Sequence, residues 1–352
     1  MLLKPSSTPL VGIDISTSSV KLIELSKSGG AYKVESFAAE AMPVNAITDK
    51  VIMDLDAVGE AVRKAVKRAS PHTKYAAVAV GGQVMTKTIQ MPASLPDRDL
   101  GEQIELQADQ YISQPLEEVA FDYEILGISQ ADPDLVDVLL VAARKENIEK
   151  LQAVLEVAGM NAKVVDVEVY AVENACKLLT HQMVDEGLDR TIGLVDFGAA
   201  ATTFSVLRDR KIIYSHTADF GGKVLTDEIM RHYGLTYDEA GKAKKEGGLP
   251  NNYKVEILDP FMDDMAQTVN RSLQFYQSST SEHQHLDQII VCGGCAAIPG
   301  AAERISEKLN TPTLVGNPFG RMKLSSRAKS QMVENEAAAL LVACGLALRS
   351  FD

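Results

Sequence analysis

Two aspartates end apolar runs in a repeated way. Asp14 closes "VGID" and Asp196 closes "IGLVD", and each is followed by a turn of small residues and a second apolar run. Set with Asp14 over Asp196, "VGIDISTSSVKLIEL" (11–25) and "IGLVDFGAAATTFSVL" (192–207) are two versions of one strand–Asp–turn–strand unit. Such self-similarity at the start of each half points to duplicated domains facing each other. Small turn residues let backbone N–H groups approach a phosphate closely. Ser16, Thr17, Ser18 and Ser19 add hydroxyl donors, while Gly198, Ala199 and Ala200 keep the second turn slim. Asp14 and Asp196, approaching from opposite sides, repel each other unless a Mg2+ lies between them, and that ion keeps most of its waters. Lys21 is suited to neutralising β- or γ-phosphate charge.

Two diglycines extend the pattern. Gly221–Gly222 and Gly293–Gly294 each follow an extended apolar segment and precede a helix-like one. Glycine there permits positive φ and close approach of a ring or phosphate, and a helix N-terminus favours anions. The chain has no GxxxxGK[ST], which excludes a P-loop, and no GxGxxG after a strand, which argues against a dinucleotide site. No general base is evident, so turnover is expected to be slow or absent.

The elements that must position these residues alternate between strand and helix, the pattern of an α/β protein. The first third reads as strands "LVGIDIS", "VKLIELS" and "YKVESFAAEAM", a helix 55–70 with Val58, Val62 and Val66 spaced by four, and the buried strand "YAAVAVGG". From 84 to 164 a strand–helix–strand–strand–helix unit is inserted, beginning with "VMTKTIQM". The strand "AKVVDVEV" then resumes the core, and polar "HQMVDEGLDR" (181–190) links to the second half.

Composition narrows the classes. The 352 residues suffice for two domains of roughly 150–200 residues each. A net charge of −13 argues against nucleic acid and anionic lipid. The local basic stretch "RKAVKR" (63–68) reads as a solvated helix face. "MLLKPSSTPL" lacks the apolar core of a signal peptide, and the apolar run 337–348 is shorter than the about 20 residues that span a bilayer. A soluble cytoplasmic protein is expected. Four cysteines form no disulfide framework. "CGGC" (292–295) has redox spacing but follows an apolar strand into glycines, and "EHQH" (282–285) reads as a solvated loop.

In this order the motifs resemble those of the actin, Hsp70 and sugar kinase superfamily. "GIDISTSSVK" is similar to its first phosphate motif, "GLVDFGAAATT" to the second and "VCGGCAAIPG" to the adenosine motif. More narrowly the chain resembles the PilM family, FtsA-like proteins of type IV pilus assembly. The stretches that carry this are "LVGIDISTSSVKLIELS", "QADQYISQPLEEVAFDYEI", "VDVLLVAARKENIE", "AKVVDVEVYAVE", "GLPNNY" and "CGLALRSFD". The resemblance implies a two-lobed actin-like ATPase fold. Its subdomains would be 1A (1–83 and 165–187), an FtsA-like inserted 1C (84–164), 2A (188–222 and 286–352) and 2B (223–285). It implies ATP with Mg2+ between the lobes. It also implies a cytoplasmic adaptor, peripheral to the inner membrane through protein partners. Such an adaptor would bind the N-terminal tail of PilN in the inner-membrane assembly complex and serve pilus biogenesis and twitching motility; self-association is left open. Relatives carry an A-E-x-x-K segment at adenosine, and "AGKAK" here keeps Lys244 but has Gly241 at the Glu position. Arg271 in "NRSLQF" is a candidate for stacking near adenine. An FtsA-like filament-forming ATPase and a small-molecule kinase are the rival readings. The kinase lacks an identifiable Asp base, and the membrane-bound filament lacks a basic amphipathic tail after "LALRSFD". A further expectation is that the junction of 1A with the insertion takes an extended peptide along a strand edge.

Overall fold

The computed structural model describes residues 9–81, 84–129, 131–282, 285–328, 333 and 336–352. The first sheet is built from β1 (Val11–Ile15), β2 (Ser19–Ser28), β3 (Ala31–Ala41), β6 (Tyr75–Val80), β10 (Asn161–Val167) and β16 (Lys323–Leu324), in the order β10-β6-β1-β2-β3-β16. The second is β13-β12-β11-β14-β15, from β11 (Thr191–Phe197), β12 (Thr202–Arg208), β13 (Lys211–Ala218), β14 (Gln288–Cys292) and β15 (Thr313–Val315). Both sheets begin with a three-strand antiparallel meander, and its first strand pairs in parallel with a strand reached through helices. The duplication seen in the two Asp segments is therefore a duplication of topology.

Local sequence explains the individual pieces. Helix α1 (Leu55–Ala69) buries Val58, Val62 and Ala65 on one face, and Asp54 caps its start by accepting from the Ala57 amide at 2.9 Å. Strand β11 is central and buried along nearly its whole length, whereas edge strand β13 alternates exposed and half-buried residues. Helices α5 (Gly222–Tyr233), α6 (Tyr237–Glu246) and α7 (Asp259–Ser279) make up the helical portion expected after 223. Helix α8 (Ala301–Leu309), the first helix after Gly293–Gly294, packs on α7 and β15.

The inserted unit has its own core. Strands β7 (Val84–Pro92), β8 (Val119–Ile128) and β9 (Leu135–Arg144) form a sheet in the order β7-β9-β8, and α2 (Asp97–Tyr111) covers one side. Ile89, Met91, Val138 and Leu140 meet Leu100, Ile104 and Ala108 there. The expected boundary at 164 is too late. Helix α3 (Lys145–Val157) places Leu151, Val154 and Leu155 in the core of the first lobe against α1, and β10 pairs with β6. By packing, the insertion closes at Arg144.

The lobes meet through helices. Helix α4 (Glu168–Leu179) follows β10, and the apolar run near the C-terminus forms a 3-10 turn, Ala337–Leu340, and helix α9 (Leu341–Leu348). Helix α9 packs on α4, β1 and β2. A methyl group built on Gly345 would overlap the Ala171 carbonyl, and one on Gly12 would overlap that of Ala343. Residues 286–352 were expected wholly in the second lobe, but α9 and β16 lie against the first sheet. Ser350 Oγ even accepts the Leu10 amide at 2.9 Å. Among the described residues no helix is long and apolar enough to cross a membrane.

This packing separates two glycines by their surroundings. Gly345→Ala is expected to lower the unfolding free energy by about 3 kcal/mol through overpacking. Gly241→Ala, in helix α6 with nothing within 4 Å of the added methyl, should raise it by about 0.5–1 kcal/mol. Urea melts of the two variants measure both signs.

Candidate functional site

The two Asp turns have the same hydrogen-bond plan. In the first, the Ser16 amide and hydroxyl both donate to the Ser19 carbonyl at 3.0 Å. In the second, the Gly198 amide donates to the Ala201 carbonyl at 3.0 Å. Among the described residues the tip amides of Thr17 and Ser18, and of Ala199 and Ala200, enter no backbone hydrogen bond. Asp14 lies across the ladder from Lys21, and Asp196 lies across from Thr203. Each turn thus offers free donors three and four residues beyond a carboxylate, a suitable arrangement for phosphate oxygens.

The charges are unevenly distributed. Lys21 Nζ donates to Asp14 Oδ2 at 3.0 Å, with each side chain only 14 % exposed. Burial opposes the lysine charge, but Asp14, then Asp196 and Glu336, outweigh it and hold the ammonium above its usual range. Asp196 moves the other way. Burial, then the charge of Glu168 and that of Asp14, push its carboxyl up to about 6 despite Lys21 and Lys50. Glu168, Glu336 and Lys50 were not foreseen as members of this cleft. Their charges reach it from the start of α4, the turn before α9 and the hairpin of β4 (Ile47–Thr48) and β5 (Val51–Ile52).

The diglycines divide. Gly293, at φ +86, lies so close to Asp196 Oδ1 that a Cβ would overlap it, and its amide donates to Ala338 at 2.8 Å. Gly294 has open space beside it. At the other pair, the amides of Gly222 and Lys223 donate to Gly198 and Ala199 at 2.9 and 2.8 Å. These two amides fasten α5 to the second turn, so the expected anion site at this helix start is taken by protein carbonyls. Lys244 also acts within the lobe. It donates to the Gly222 carbonyl at 3.0 Å and to Thr226 Oγ1 at 2.8 Å, and burial lowers its pKa. Arg271 is exposed on α7 and shares no hydrogen bond or ion pair with the turns among the described residues. The Cys292 and Cys295 thiols are buried, and burial pushes the second up to about 11, the opposite of a reactive pair. Of "EHQH", His283 and Gln284 lie outside the described residues.

Among the described residues no group of three or more His, Cys, Asp or Glu side chains could cage a metal. Two carboxylates from opposite lobes instead suit an ion that keeps its water shell. The raised Asp196 pKa marks a carboxylate that is buried and that Glu168 and Asp14 repel more than Lys21 and Lys50 relieve.

A second surface of interest lies on the insertion. The side of its sheet away from α2 carries Thr86 and Thr88 on β7, Leu139 and Val141 on β9, and Asp122 and Glu124 on β8. Tyr170, in the first turn of α4, is near enough to Thr86 to feel its hydroxyl. Burial and the charges of Glu173, Glu124 and Asp166 outweigh that influence and push its phenol up.

Duplicated sheets with a phosphate-type turn on each define a two-lobed actin-like fold. A family model for type IV pilus assembly protein PilM matches residues 12–351, and the chain belongs to that family. It is 21% identical to the cell division protein FtsA of Streptococcus pneumoniae serotype 2 (strain D39 / NCTC 7466), over 92% of this chain and 80% of that protein. A solved PilM-PilN type IV pilus biogenesis complex contains a chain that superposes at a TM-score of 0.80, with 24% identity over 98% of this chain and 99% of that one. The ethanolamine utilization protein EutJ of Carboxydothermus hydrogenoformans superposes at 0.57, with 17% identity and 98% and 90% coverage. MreB5 of Spiroplasma citri bound to ADP superposes at 0.52, with 13% identity and 97% and 95% coverage.

The Asp196 carboxyl gives a pH test. Its pKa is raised from 3.8 to about 6, so the folded protein binds a proton there more tightly than the unfolded chain. Its contribution to stability is therefore lost as pH rises through that window. Asp196→Asn should melt higher than the parent at pH 7.5 without nucleotide or Mg2+. The difference, at most about 3 kcal/mol, should vanish near pH 4 in thermal melts.

Proposed function

We propose that this protein is a nucleotide-binding adaptor of the type IV pilus machinery. ATP with Mg2+ would hold the two lobes together, and the insertion would present a groove to the N-terminal tail of PilN. The observation that carries the reading is the mirrored pair of turns, each with free tip amides just beyond an aspartate. Thr17, Ser18, Ala199 and Ala200 would supply donors to phosphate oxygens. Asp14 and Asp196 would hold the hydrated ion, and Lys21 would balance the phosphate charge. The solved MreB5 bound to ADP supports a nucleotide in this fold. We assign no catalytic base.

For the partner, the supporting observations are the sheet face opposite α2 and the pairing of PilM with PilN in the solved complex. Leu139 and Val141 offer an apolar strip flanked by threonines and by Asp122 and Glu124. An extended segment with apolar and basic residues suits it. Attachment to the cytoplasmic side of the inner membrane would then run through PilN.

Two measurements test this. Titration calorimetry with ATP and Mg2+ should show binding by the parent and at least tenfold weaker binding by Asp14→Ala and Asp196→Ala. Unchanged affinity in both variants would refute the shared cleft. Thr88→Arg, on an exposed position of β7, should weaken a synthetic PilN N-terminal peptide about tenfold or more while leaving ATP affinity unchanged. Equal peptide affinity would place the peptide elsewhere.

A further inference from the structure

We infer that the ion pair between Lys50 and Glu168 links the nucleotide cleft to the insertion, so that charge arriving in the cleft alters the face offered to the partner. This rests on the cleft and groove proposed above.

Lys50 is held where its backbone is unfavourable. The two-residue turn between β4 and β5 is Asp49–Lys50, with φ of 49° and 62°. Turns with positive φ at both central residues favour Asn or Asp followed by Gly. Asp49 fits that preference; Lys50 stands in the glycine place. Strain of this kind persists only where surrounding contacts hold it, and two contacts do so. Lys50 Nζ donates to Glu168 Oε2 at 2.7 Å. Its aliphatic stem lies over Gly81, where a built Cβ would come within 3.2 Å of both Cβ and Cδ of the lysine. Gly81 is the last described residue before β7 begins at Val84. The lysine thus braces the entrance to the insertion against the start of α4, the helix that follows β10 and that Glu168 opens.

Three alternate residues at the junction of β10 and α4 reach three neighbours. Asp166 accepts from Arg349 Nε at 2.6 Å, which ties the end of β10 to the end of α9. Glu168 takes Lys50, and the charges of both reach Asp196 in the cleft. Tyr170 comes near Thr86 on the groove side of the insertion. A hydrated cation at Asp14 and Asp196 attracts the Glu168 carboxylate, and a triphosphate attracts the Lys50 ammonium. Both compete with the ion pair. Loosening it frees the turn to relax off Gly81 and lets the first turn of α4 shift with Tyr170. The ligand thereby binds two arrangements of one element unequally, which is the requirement for coupling.

The test is a coupling measurement on the full chain. Peptide affinity is measured with the PilN N-terminal peptide, with and without ATP–Mg2+, in the parent, Lys50→Gly and Lys50→Arg. Glycine suits the turn, so Lys50→Gly should melt at or above the parent while losing the ion pair. In the parent, ATP–Mg2+ should change peptide affinity about fivefold or more. That ratio, measured at ATP–Mg2+ saturating for each variant, should fall to about one in Lys50→Gly and survive in Lys50→Arg. Hydrogen exchange at residues 84–92 and 168–172 gives a readout without the peptide. It should respond to ATP–Mg2+ in the parent and in Lys50→Arg but not in Lys50→Gly. The inference falls if Lys50→Gly keeps the parent's affinity ratio and exchange response, or if a parent that binds ATP shows neither. A parent that binds no ATP in direct titration overturns the cleft itself, a separate and recognisable result.

Discussion

The close approach of α9 to two other backbones governs the geometry of the cleft. Gly12 lets β1 lie against α9, and Gly345 lets α9 lie against α4. Side chains at these points would push the helix away by about the width of a methyl group. Helix α9 is continuous with the turn whose Ala338 carbonyl receives the Gly293 amide, beside Asp196. Helix α4 begins with Glu168, and β1 carries Asp14 as its next-to-last residue. Three cleft carboxylates from distant parts of the chain are thus referenced to one helix. Their separations depend on backbone contact, which is stiffer than contact between flexible side chains.

That rigidity explains how the cleft tolerates its charge. Asp14, Asp196, Glu168 and Glu336 converge with only Lys21 and Lys50 identified as opposing them. A flexible cleft would open to hydrate the acids. Here the fold keeps them together, and burial first, then the charges of Glu168 and Asp14, raise the Asp196 pKa. A binding site is where such unrelieved repulsion is expected, because a cation restores the balance.

The Asp turns were legible because their information is local: an apolar run, an Asp, four small residues and a second run. The same holds for α1 and the strands of the insertion. Helix α4 was missed because "EVYAVENACKLL" follows a strand without a break and its apolar residues point to both lobes. Helix α3 was assigned to the insertion by adjacency, but Leu151, Val154 and Leu155 prefer the face of α1. The Gly221–Gly222 pair matched a nucleotide pattern, yet its second amide already serves the Gly198 carbonyl. Lys50 and Glu168 are 118 positions apart, and nothing local to either announces the other. Their meeting follows from the order β10-β6-β1, which only the folded sheet shows.

The bond between Leu10 and Ser350 spans 340 positions. On a ribosome, the strands of the first sheet emerge early, but α9 and the residues that seal β1 emerge last. The second sheet, with α5 to α8, is complete well before then. The half of the molecule that is made first is therefore the half that finishes folding last. Until α9 emerges, the apolar surface around Ile23, Val34 and Leu25 has no α9 to cover it. A nascent chain of this design depends on rapid completion or on a chaperone to shield that surface.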